Sequence, residues 1–350
     1  MLRTTLLRWL IRLLGRLPLS AAQILGAFVG RIMWYSRSRM ALVTRENIAR
    51  CYPGLSTSDQ TALAKASLEA TGRTIIETAF AWTAPTEKCL RAIVDVRGRA
   101  LVDTALAAGN GLIFVIPHLG NWEMINHYLG SEFGLTHMYQ PNRSRRFNRL
   151  VQTLRARTGT KFVEANRTGI RRQLEVLREG GTVGVMPDQE PEIHTGRFAP
   201  FFGIPCLTNT LTTNLAARTG AATLVCYCER LPDSGGFRVV FAPFELPATG
   251  PDAALAAMNL AIEQAIRQLP EQYLWSYKRF RTRPQGEIKY YRFRQHPVRV
   301  TLESALIRGL LAAMRRLPMR AVRRIGALAG DIAYFTRHKY ARHARINLGL

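Results

Sequence analysis

The sequence is poor in acidic residues and in cysteines, and both shortages limit what the protein can be. Only 24 of its 350 residues are Asp or Glu, against 49 Lys and Arg, so the formal charge is +25. The five cysteines are scattered without the spacing of a zinc site or of a disulfide framework. The one close pair, Cys226 and Cys228, is spaced for a single face of a strand, which indicates core packing. This pattern favours a reducing compartment and excludes a disulfide-stapled scaffold.

Nucleic acid is the first partner that so basic a chain suggests, but the sequence has no zinc-finger spacing, no RNP-like aromatic motif and no lysine-rich tail. The basic residues are nearly all arginines, and many of them interrupt apolar segments. This arrangement favours an anionic membrane surface, a phosphorylated lipid or an acidic protein over nucleic acid. A genome biased toward arginine is the alternative explanation for part of the excess.

The amino terminus has no long hydrophobic run. Residues 17–30 are uncharged, but these 14 residues lie between Arg16 and Arg31 and fall short of the roughly 20 that a spanning helix needs. Earlier arginines and the lack of a cleavage site argue against a signal peptide. We expect residues 1–50 to form a membrane-anchoring helix, interfacial or spanning, and a basic segment whose arginines favour the cytoplasmic side. An amphipathic helix packed on a soluble domain is the alternative.

Apolar runs of strand length alternate with segments of helical period between residues 51 and 290. The strands are predicted at 111–117, 135–140, 182–187, 221–228 and 237–242. The helices are predicted at 57–83, 121–130, 146–157, 169–179, 208–218 and 252–268. This alternation predicts an α/β fold with a mostly parallel central sheet covered by helices.

The end of the chain repeats its beginning. Residues 305–350 match residues 5–50 without a gap, with 15 identities in 46 positions. The polar segment 291–300 is the predicted linker before this partial repeat at 301–350. Two interpretations stay open: the opening of a second, truncated unit, or a basic tail that strengthens membrane attachment.

The most informative segment is His118-Leu-Gly-Asn-Trp-Glu123, which directly follows the predicted strand at 111–117. A histidine at the carboxyl end of a strand stands where open α/β sheets place their chemistry, and Asn121 is a good cap for a following helix. Glu123 can turn back toward the imidazole and hold one tautomer, so that His118 can take a proton from a hydroxyl. The spacing alone is common, and a structural histidine is the alternative.

Five segments in this order resemble one family. They are His118–Glu123, Leu154-Arg-Ala-Arg157-Thr-Gly159, Val185-Met-Pro-Asp188-Gln189, Gly196-Arg-Phe-Ala-Pro-Phe-Phe-Gly203 and Tyr273–Pro284. They are similar to the H-x4-D/E, R-x-R-x-G, P-D-Q, G-x-F-V-P-F-F-G and W-x3-R-F-K-T-R-P segments of the late acyltransferases of lipid A biosynthesis, which have a glycerolipid-acyltransferase-like fold. Ala199 stands where the family usually has valine.

The resemblance implies a role for each residue of the first segment. His118 is the expected general base that activates an acceptor hydroxyl for attack on an acyl thioester, without a metal and without a covalent enzyme intermediate. Glu123 is expected to orient the imidazole. Gly120 and Asn121 shape the turn, and the amides at the helix start either face a developing oxyanion or are simply capped.

The later segments supply the expected substrate contacts. The resemblance makes Arg155 or Arg157 a candidate for binding phosphate or stabilising the oxyanion, with Arg155 preferred by spacing and a solvated helix face as the alternative. Asp188 either lines the same cleft or makes an Asx turn. An apolar groove for the acyl chain, or else core packing, is the expectation for Phe201, Phe202 and Gly203. The bilayer interface is the expectation for Trp275, Tyr277 and Arg279.

The resemblance implies a membrane-associated acyltransferase on the cytoplasmic face of the bacterial inner membrane. It would move an acyl chain from acyl carrier protein, or from coenzyme A, to a hydroxyl of a lipid A precursor, with no cofactor. The expected partners are acyl carrier protein, an anionic glycolipid acceptor and the membrane surface, and not nucleic acid. A different glycolipid, phospholipid or aminolipid acceptor, and a non-catalytic membrane-binding relative, are the alternatives.

Overall fold

The apolar runs of the sequence form the strands of one central sheet. The computed structural model describes residues 2–141 and 144–291. In chain order the sheet strands are β1 (Ile93–Arg97), β2 (Leu112–Val115), β3 (Thr136–Tyr139), β4 (Lys161–Glu164), β5 (Thr182–Val185), β8 (Ala222–Arg230) and β9 (Phe237–Pro243). Between β5 and β8, strands β6 (Gly196–Phe201) and β7 (Ile204–Asn209) form a separate antiparallel hairpin.

The strands lie side by side in the order β1-β9-β8-β2-β5-β3-β4. All neighbours are parallel except β8 and β9, so β1 and β9 run against the other five strands. The predicted α/β fold with a mostly parallel sheet is confirmed. Several elements were not predicted, among them the edge strands β1 and β4 and the β6–β7 hairpin, whose aromatic residues were interpreted as a groove.

Helices cover both faces of the sheet. They are α1 (Leu2–Leu14), α2 (Leu19–Tyr35), α3 (Arg39–Cys51), α4 (Thr57–Thr83), α5 (Thr86–Arg91), α6 (Arg99–Ala107), α7 (Trp122–Phe133), α8 (Arg145–Arg155), α9 (Arg167–Arg178), α10 (Leu211–Thr219) and α11 (Pro251–Gln268). Strand β2 is buried on both faces, which its uninterrupted apolar sequence requires. Phe114 packs in the cluster that includes α7, while Ile113 packs in the cluster that includes α9 and α10.

The amino-terminal helices pack on α4 through small residues. A Cβ on Gly26 would lie 2.4 Å from the Arg73 Cα, and a Cβ on Gly30 would lie 2.3 Å from the Leu68 carbonyl oxygen. Only glycine lets the two backbones approach this closely. Among the helices in the described part of the chain, none is both long and apolar enough to cross a membrane. The predicted membrane-anchoring helix is therefore not confirmed.

The domain boundaries predicted near the end of the chain cannot be compared with the fold. Residues 292–300, nearly all of the predicted linker, and the partial repeat at 301–350 lie outside the described residues. The described part of the predicted domain 51–290 belongs to the same unit as the first 50 residues, because α2 and α3 both pack on α4.

Candidate active site

The register of β2 and β5 brings two site residues together. Val115 and Val185, the last residues of these strands, are paired across a parallel ladder. His118 and Asp188 each come three residues after that pair, so they leave the same edge of the sheet side by side. This edge is the carboxyl end of the parallel strands, where open α/β sheets bind their ligands.

Asp188 holds His118 at two points. Its Oδ1 lies 2.8 Å from the His118 Nδ1, and its Oδ2 accepts a hydrogen bond of 2.8 Å from the His118 amide. Burial alone would raise the pKa of Asp188, but the charge of His118 and its two hydrogen bonds outweigh burial and lower it. An ionised Asp188 can only accept, so the Nδ1 carries the proton and the lone pair lies on Nε2.

The turn after His118 is fixed by backbone contacts on both sides. The Gly120 amide donates to the Gln272 carbonyl at 3.1 Å, and the Asn121 amide donates to the Cys228 carbonyl at 2.7 Å. Gly120 has a φ of +66°, and a Cβ there would lie 1.9 Å from the Cys228 carbonyl oxygen, so glycine is required. Because both amides are already bonded within the protein, the structure does not offer them to an oxyanion.

Asn121 joins this turn to a buried ion pair. Its Oδ1 accepts from the amides of Glu123 and Met124 at 3.2 and 3.0 Å, which is the predicted cap of α7. Its side-chain amide donates to Glu77 of α4 at 2.9 Å. Glu77 also takes two hydrogen bonds from Arg230 of β8, and both side chains are buried. The turn is therefore tied to α4 and β8 as well as to α7.

Glu123 has different partners from those predicted. Trp82 donates to its Oε2 at 2.8 Å, Arg155 Nε donates to the same oxygen at 3.0 Å, and Arg155 Nη2 bonds to its Oε1. Burial would raise the pKa of Glu123, but the Arg155 charge and the hydrogen bonds from Arg155 and Trp82 lower it. The expected contact between Glu123 and the imidazole is corrected, because Asp188 takes the His118 Nδ1 and Arg155 takes the carboxylate.

Comparison with known proteins identifies the family to which this chain belongs. The profile of the bacterial lipid A biosynthesis acyltransferases matches residues 2–282. The chain belongs to that family. It is 30% identical over 278 residues to the lipid A biosynthesis palmitoleoyltransferase of Escherichia coli (strain K12), covering 79% of this chain and 90% of the relative.

Two further relatives show how wide the family is. The chain is 26% identical over 281 residues to the lipid A biosynthesis lauroyltransferase of Escherichia coli (strain K12), with 79% of this chain and 90% of the relative covered. It is also 30% identical over 222 residues to the phosphatidylinositol mannoside acyltransferase of Mycobacterium tuberculosis (strain ATCC 25618 / H37Rv), with 62% and 69% covered. Family membership therefore makes the chain an acyltransferase.

The two arginines of the second family segment differ in position. Arg155 is the last residue of α8 and is bound to Glu123, with its guanidinium 5.7 Å from the Trp82 ring centroid and 5.4 Å from that of Phe162. Arg157 is exposed, and its guanidinium donates to the Thr83 carbonyl at 3.4 Å. Arg155 therefore lies in the site, whereas Arg157 lies in solvent, as the alternative interpretation expected.

The aromatic segments of this family member pack into the core. Phe201 is 1% exposed and Phe202 is 9% exposed; the two rings meet edge to face, and Phe202 makes the same kind of contact with Trp275. Gly203 forms the exposed hairpin turn with a φ of +71°. The expected acyl groove is thus corrected in favour of core packing for Phe201 and Phe202, and in favour of a turn for Gly203. Trp275 and Arg279 are also buried, so the expected interfacial position for them is wrong.

An open space lies beside Arg155. It is a cavity of about 190 Å³ with a mixed lining: the apolar side chains are Trp82, Phe147, Val151 and Phe162, and the polar ones are Tyr139, Gln140, Asn148, Gln152 and Arg155. Its lining comes from α4, α8 and β4 and from the end of β3. The sequence analysis did not predict it, because the unpredicted strand β4 supplies one wall.

Four residues near the site were not singled out from the sequence. Gln189 lies with its Nε2 3.0 Å from the His118 Nε2. Trp82, Glu77 and Arg230 supply the hydrogen bonds described above. Gln189 carried a signal, because it follows Asp188 directly in the P-D-Q segment. The other three lie on α4 and β8, and only the fold brings them to the His118 turn.

Proposed function

We propose that this protein transfers a fatty acyl group from acyl-acyl carrier protein to a hydroxyl of a lipid A precursor. The imidazole of His118 takes the hydroxyl proton, the hydroxyl oxygen bonds to the acyl carbon, and the carbon–sulfur bond breaks. The imidazolium then returns the proton to the leaving thiolate. Coenzyme A is the alternative donor, and the chemistry at the acyl carbon is the same.

The hydrogen bond between Asp188 and the His118 Nδ1 carries this proposal. It leaves the Nε2 lone pair as the only acceptor on the ring, and it stabilises the imidazolium once a proton arrives. His118 is mostly covered, with 13% of its side chain exposed, and the Gln189 amide lies against its Nε2, so a substrate reaches this nitrogen once that amide moves. A purely structural histidine does not need an ionised partner on one nitrogen and a lone pair on the other.

Charge and shape support the choice of substrates. A formal charge of +25 suits an acidic carrier protein and a phosphorylated acceptor. The cavity beside Arg155 offers apolar side chains against which an alkyl chain can pack. It shares Trp82 and Arg155 with the Glu123 cluster, so we propose it as the place of the acyl chain.

The test is an acyl-transfer assay read by mass spectrometry. The full chain receives acyl-acyl carrier protein and a tetra-acylated lipid A precursor, and His118→Ala is assayed beside it. We expect one added acyl chain with the wild-type protein and a loss of at least about 10³-fold in the variant, because the base is removed. Transfer by folded His118→Ala at the wild-type rate would contradict the proposal.

A second acceptor class is favoured by one observation. One relative is named as a phosphatidylinositol mannoside acyltransferase, so acceptors other than lipid A occur among similar proteins. The same assay with glycolipid and phospholipid acceptors separates the two candidates. Transfer to such an acceptor, at a higher kcat/KM than to the lipid A precursor, would favour the second one.

We also propose that α1 and α2 bind the cytoplasmic face of the bacterial inner membrane. Ile24, Phe28, Ile32 and Tyr35 form one exposed stripe along α2, with Phe28 57% exposed and Tyr35 72% exposed. Trp9 and Leu13 are exposed on α1, among the exposed arginines at 8, 12 and 16. Exposed apolar side chains beside basic ones suit the surface of a bilayer with anionic lipids.

The membrane proposal is tested by sedimentation with vesicles that contain phosphatidylglycerol. The double variant Ile24→Ser/Phe28→Ser is expected to lose about tenfold or more in partition, since each buried side chain is worth about 1.5–3 kcal/mol. The matched control is Leu260→Ser/Ile288→Ser, which removes two exposed side chains elsewhere. Equal losses in the two variants would contradict a specific role for α2.

A further inference from the structure

The side-chain amide of Gln189 contacts the His118 Nε2, the nitrogen that takes the proton in the proposed reaction. The Gln189 Nε2 lies 3.0 Å from the His118 Nε2. The opposite nitrogen of the ring faces Asp188 at 2.8 Å and carries the proton. The only arrangement that satisfies both contacts has the Gln189 amide donating an N–H to the unprotonated Nε2.

The backbone on both sides of Gln189 is held firmly. Asp188 is fixed by the His118 amide and ring. The Glu190 amide donates to the Tyr277 hydroxyl at 2.9 Å, and the Glu190 carboxylate accepts from the Thr282 amide at 2.8 Å and from Arg281 Nε at 3.0 Å. Rotation about the side-chain bonds of Gln189 would therefore move its amide without moving these anchors.

The Nε2 lone pair accepts one hydrogen bond, so the Gln189 amide and an acceptor hydroxyl compete for it. When the hydroxyl takes the lone pair, the amide is displaced but stays beside the hydroxyl oxygen. That oxygen then bonds to the acyl carbon, whose carbonyl oxygen becomes negative. The amides of Gly120 and Asn121 are committed elsewhere in the protein, so neither of them is available to this oxygen.

We propose that Gln189 is a further catalytic residue, which caps the His118 Nε2 in the free protein and donates to the carbonyl oxygen during transfer. The hydroxyl proton goes to the His118 Nε2 and the bond from the hydroxyl oxygen to the acyl carbon forms. The displaced N–H then bonds to the tetrahedral oxyanion. The carbon–sulfur bond breaks, and the thiolate takes the proton back. The proposal rests on the acyl transfer proposed above.

The cap is tested without any substrate. Diethyl pyrocarbonate acylates unprotonated imidazole nitrogens, and its product at each histidine is measured by peptide mass spectrometry. We expect Gln189→Ala to speed modification of His118 several-fold, because the lone pair is uncovered. Exposed His194 serves as the internal standard. An unchanged ratio of His118 to His194 modification would overturn the cap.

The donor role is tested by kinetics of the full chain. Gln189→Ala and Gln189→Glu are each expected to lose about 10²–10³-fold in kcat, with little change in the KM of the acceptor, as when an oxyanion donor is removed. Gln189→Glu keeps the shape of the side chain, and circular dichroism confirms that each variant is folded.

The control is Glu190→Gln, which weakens the neighbouring anchor but leaves the Gln189 amide in place. We expect it to keep kcat within about threefold of the wild type and to leave the modification ratio unchanged. A kcat of Gln189→Ala within threefold of the wild type, or equal losses in Gln189→Ala and Glu190→Gln, would overturn the donor role. A wild-type protein without transfer would refute the proposed function, while the modification rates would still decide the cap.

Discussion

Two buried carboxylates flank the His118 turn, and they differ in what they hold. Asp188 is bonded to an imidazole, a group that changes its charge during proton transfer. Glu123 is bonded to Arg155 and Trp82, whose charges do not change. An acid whose partner gains a charge can stabilise the transition state, whereas an acid paired with a permanent cation stabilises the resting structure. The contacts therefore separate a reactive side of the turn from a supporting side.

The supporting side also ties four elements of the fold together. Glu123 and Arg155 link α7 to α8, and Glu77 and Arg230 link α4 to β8 behind Asn121. On the reactive side, the Gln189 side-chain amide lies against the His118 Nε2. Such a division is expected where a rigid frame holds a group that must exchange partners with a substrate.

The difference between the two carboxylates predicts its largest effect on kcat at Asp188. Asp188→Asn should lower kcat by about 10³–10⁴-fold, because an amide in place of the carboxylate favours the wrong tautomer and no longer stabilises the imidazolium. Acyl-transfer kinetics with a thermal unfolding curve for each variant measure it. A smaller loss of kcat in Asp188→Asn than in Glu123→Gln would reverse the roles assigned to the two acids.

The sequence predicted where His118 and Asp188 lie in their own segments, but not that the two residues pair. Both strands before His118 and Asp188 were predicted, and both residues were placed at strand ends. The pairing could not be read, since it depends on β2 and β5 being neighbours although they are about 70 residues apart. With no strand order available, Glu123 was the nearest acid in the sequence and received the orienting role.

The errors at the aromatic segments have the same cause. The sequence around Phe201 and Trp275 does not distinguish an aromatic ring that faces lipid or substrate from one that packs in the core. They are buried because the β6–β7 hairpin, α11 and the segment around Tyr273 pack together, and each contact is distant in the chain. By contrast, α4 was predicted with the bounds that the structure gives it, since caps and helical period are local signals.

The supporting side is expected to show its largest effect in stability. Glu123→Gln leaves the Arg155 cation with a weaker partner and should lower the free energy of unfolding by about 3 kcal/mol. Breaking a buried ion pair costs about 3–5 kcal/mol, and we expect the lower value because Arg155 is 22% exposed. Chemical denaturation measures the change. Glu175→Gln, which weakens the exposed pairs of Glu175 with Arg171 and Arg172, is the matched control and should be indistinguishable from the wild type. Equal costs at the two positions would contradict a special role for Glu123.

The smallest expected effect is a pH dependence that originates beside Arg155. His137, at 3% exposure, stacks on Phe162 and lies with its Nδ1 2.8 Å from the Asn126 Oδ1. Its Nε2 has no partner among the described residues. Burial and the nearby Arg155 charge lower the pKa of His137 to about 3, while the charge of Glu123 only partly opposes them.

The sign of this pH dependence follows from the lowered pKa. Below the ordinary histidine pKa the unfolded chain binds a proton that the folded protein does not, so stability falls as the pH falls. Between pH 7.5 and pH 5 the loss from His137 alone is about 2 kcal/mol. Chemical denaturation at both pH values should therefore show about that much less acid sensitivity in His137→Gln than in the wild type. His194→Gln, at an exposed histidine, should keep the wild-type sensitivity. If His137→Gln kept it too, the neutral state of His137 would not contribute to the stability of the supporting side.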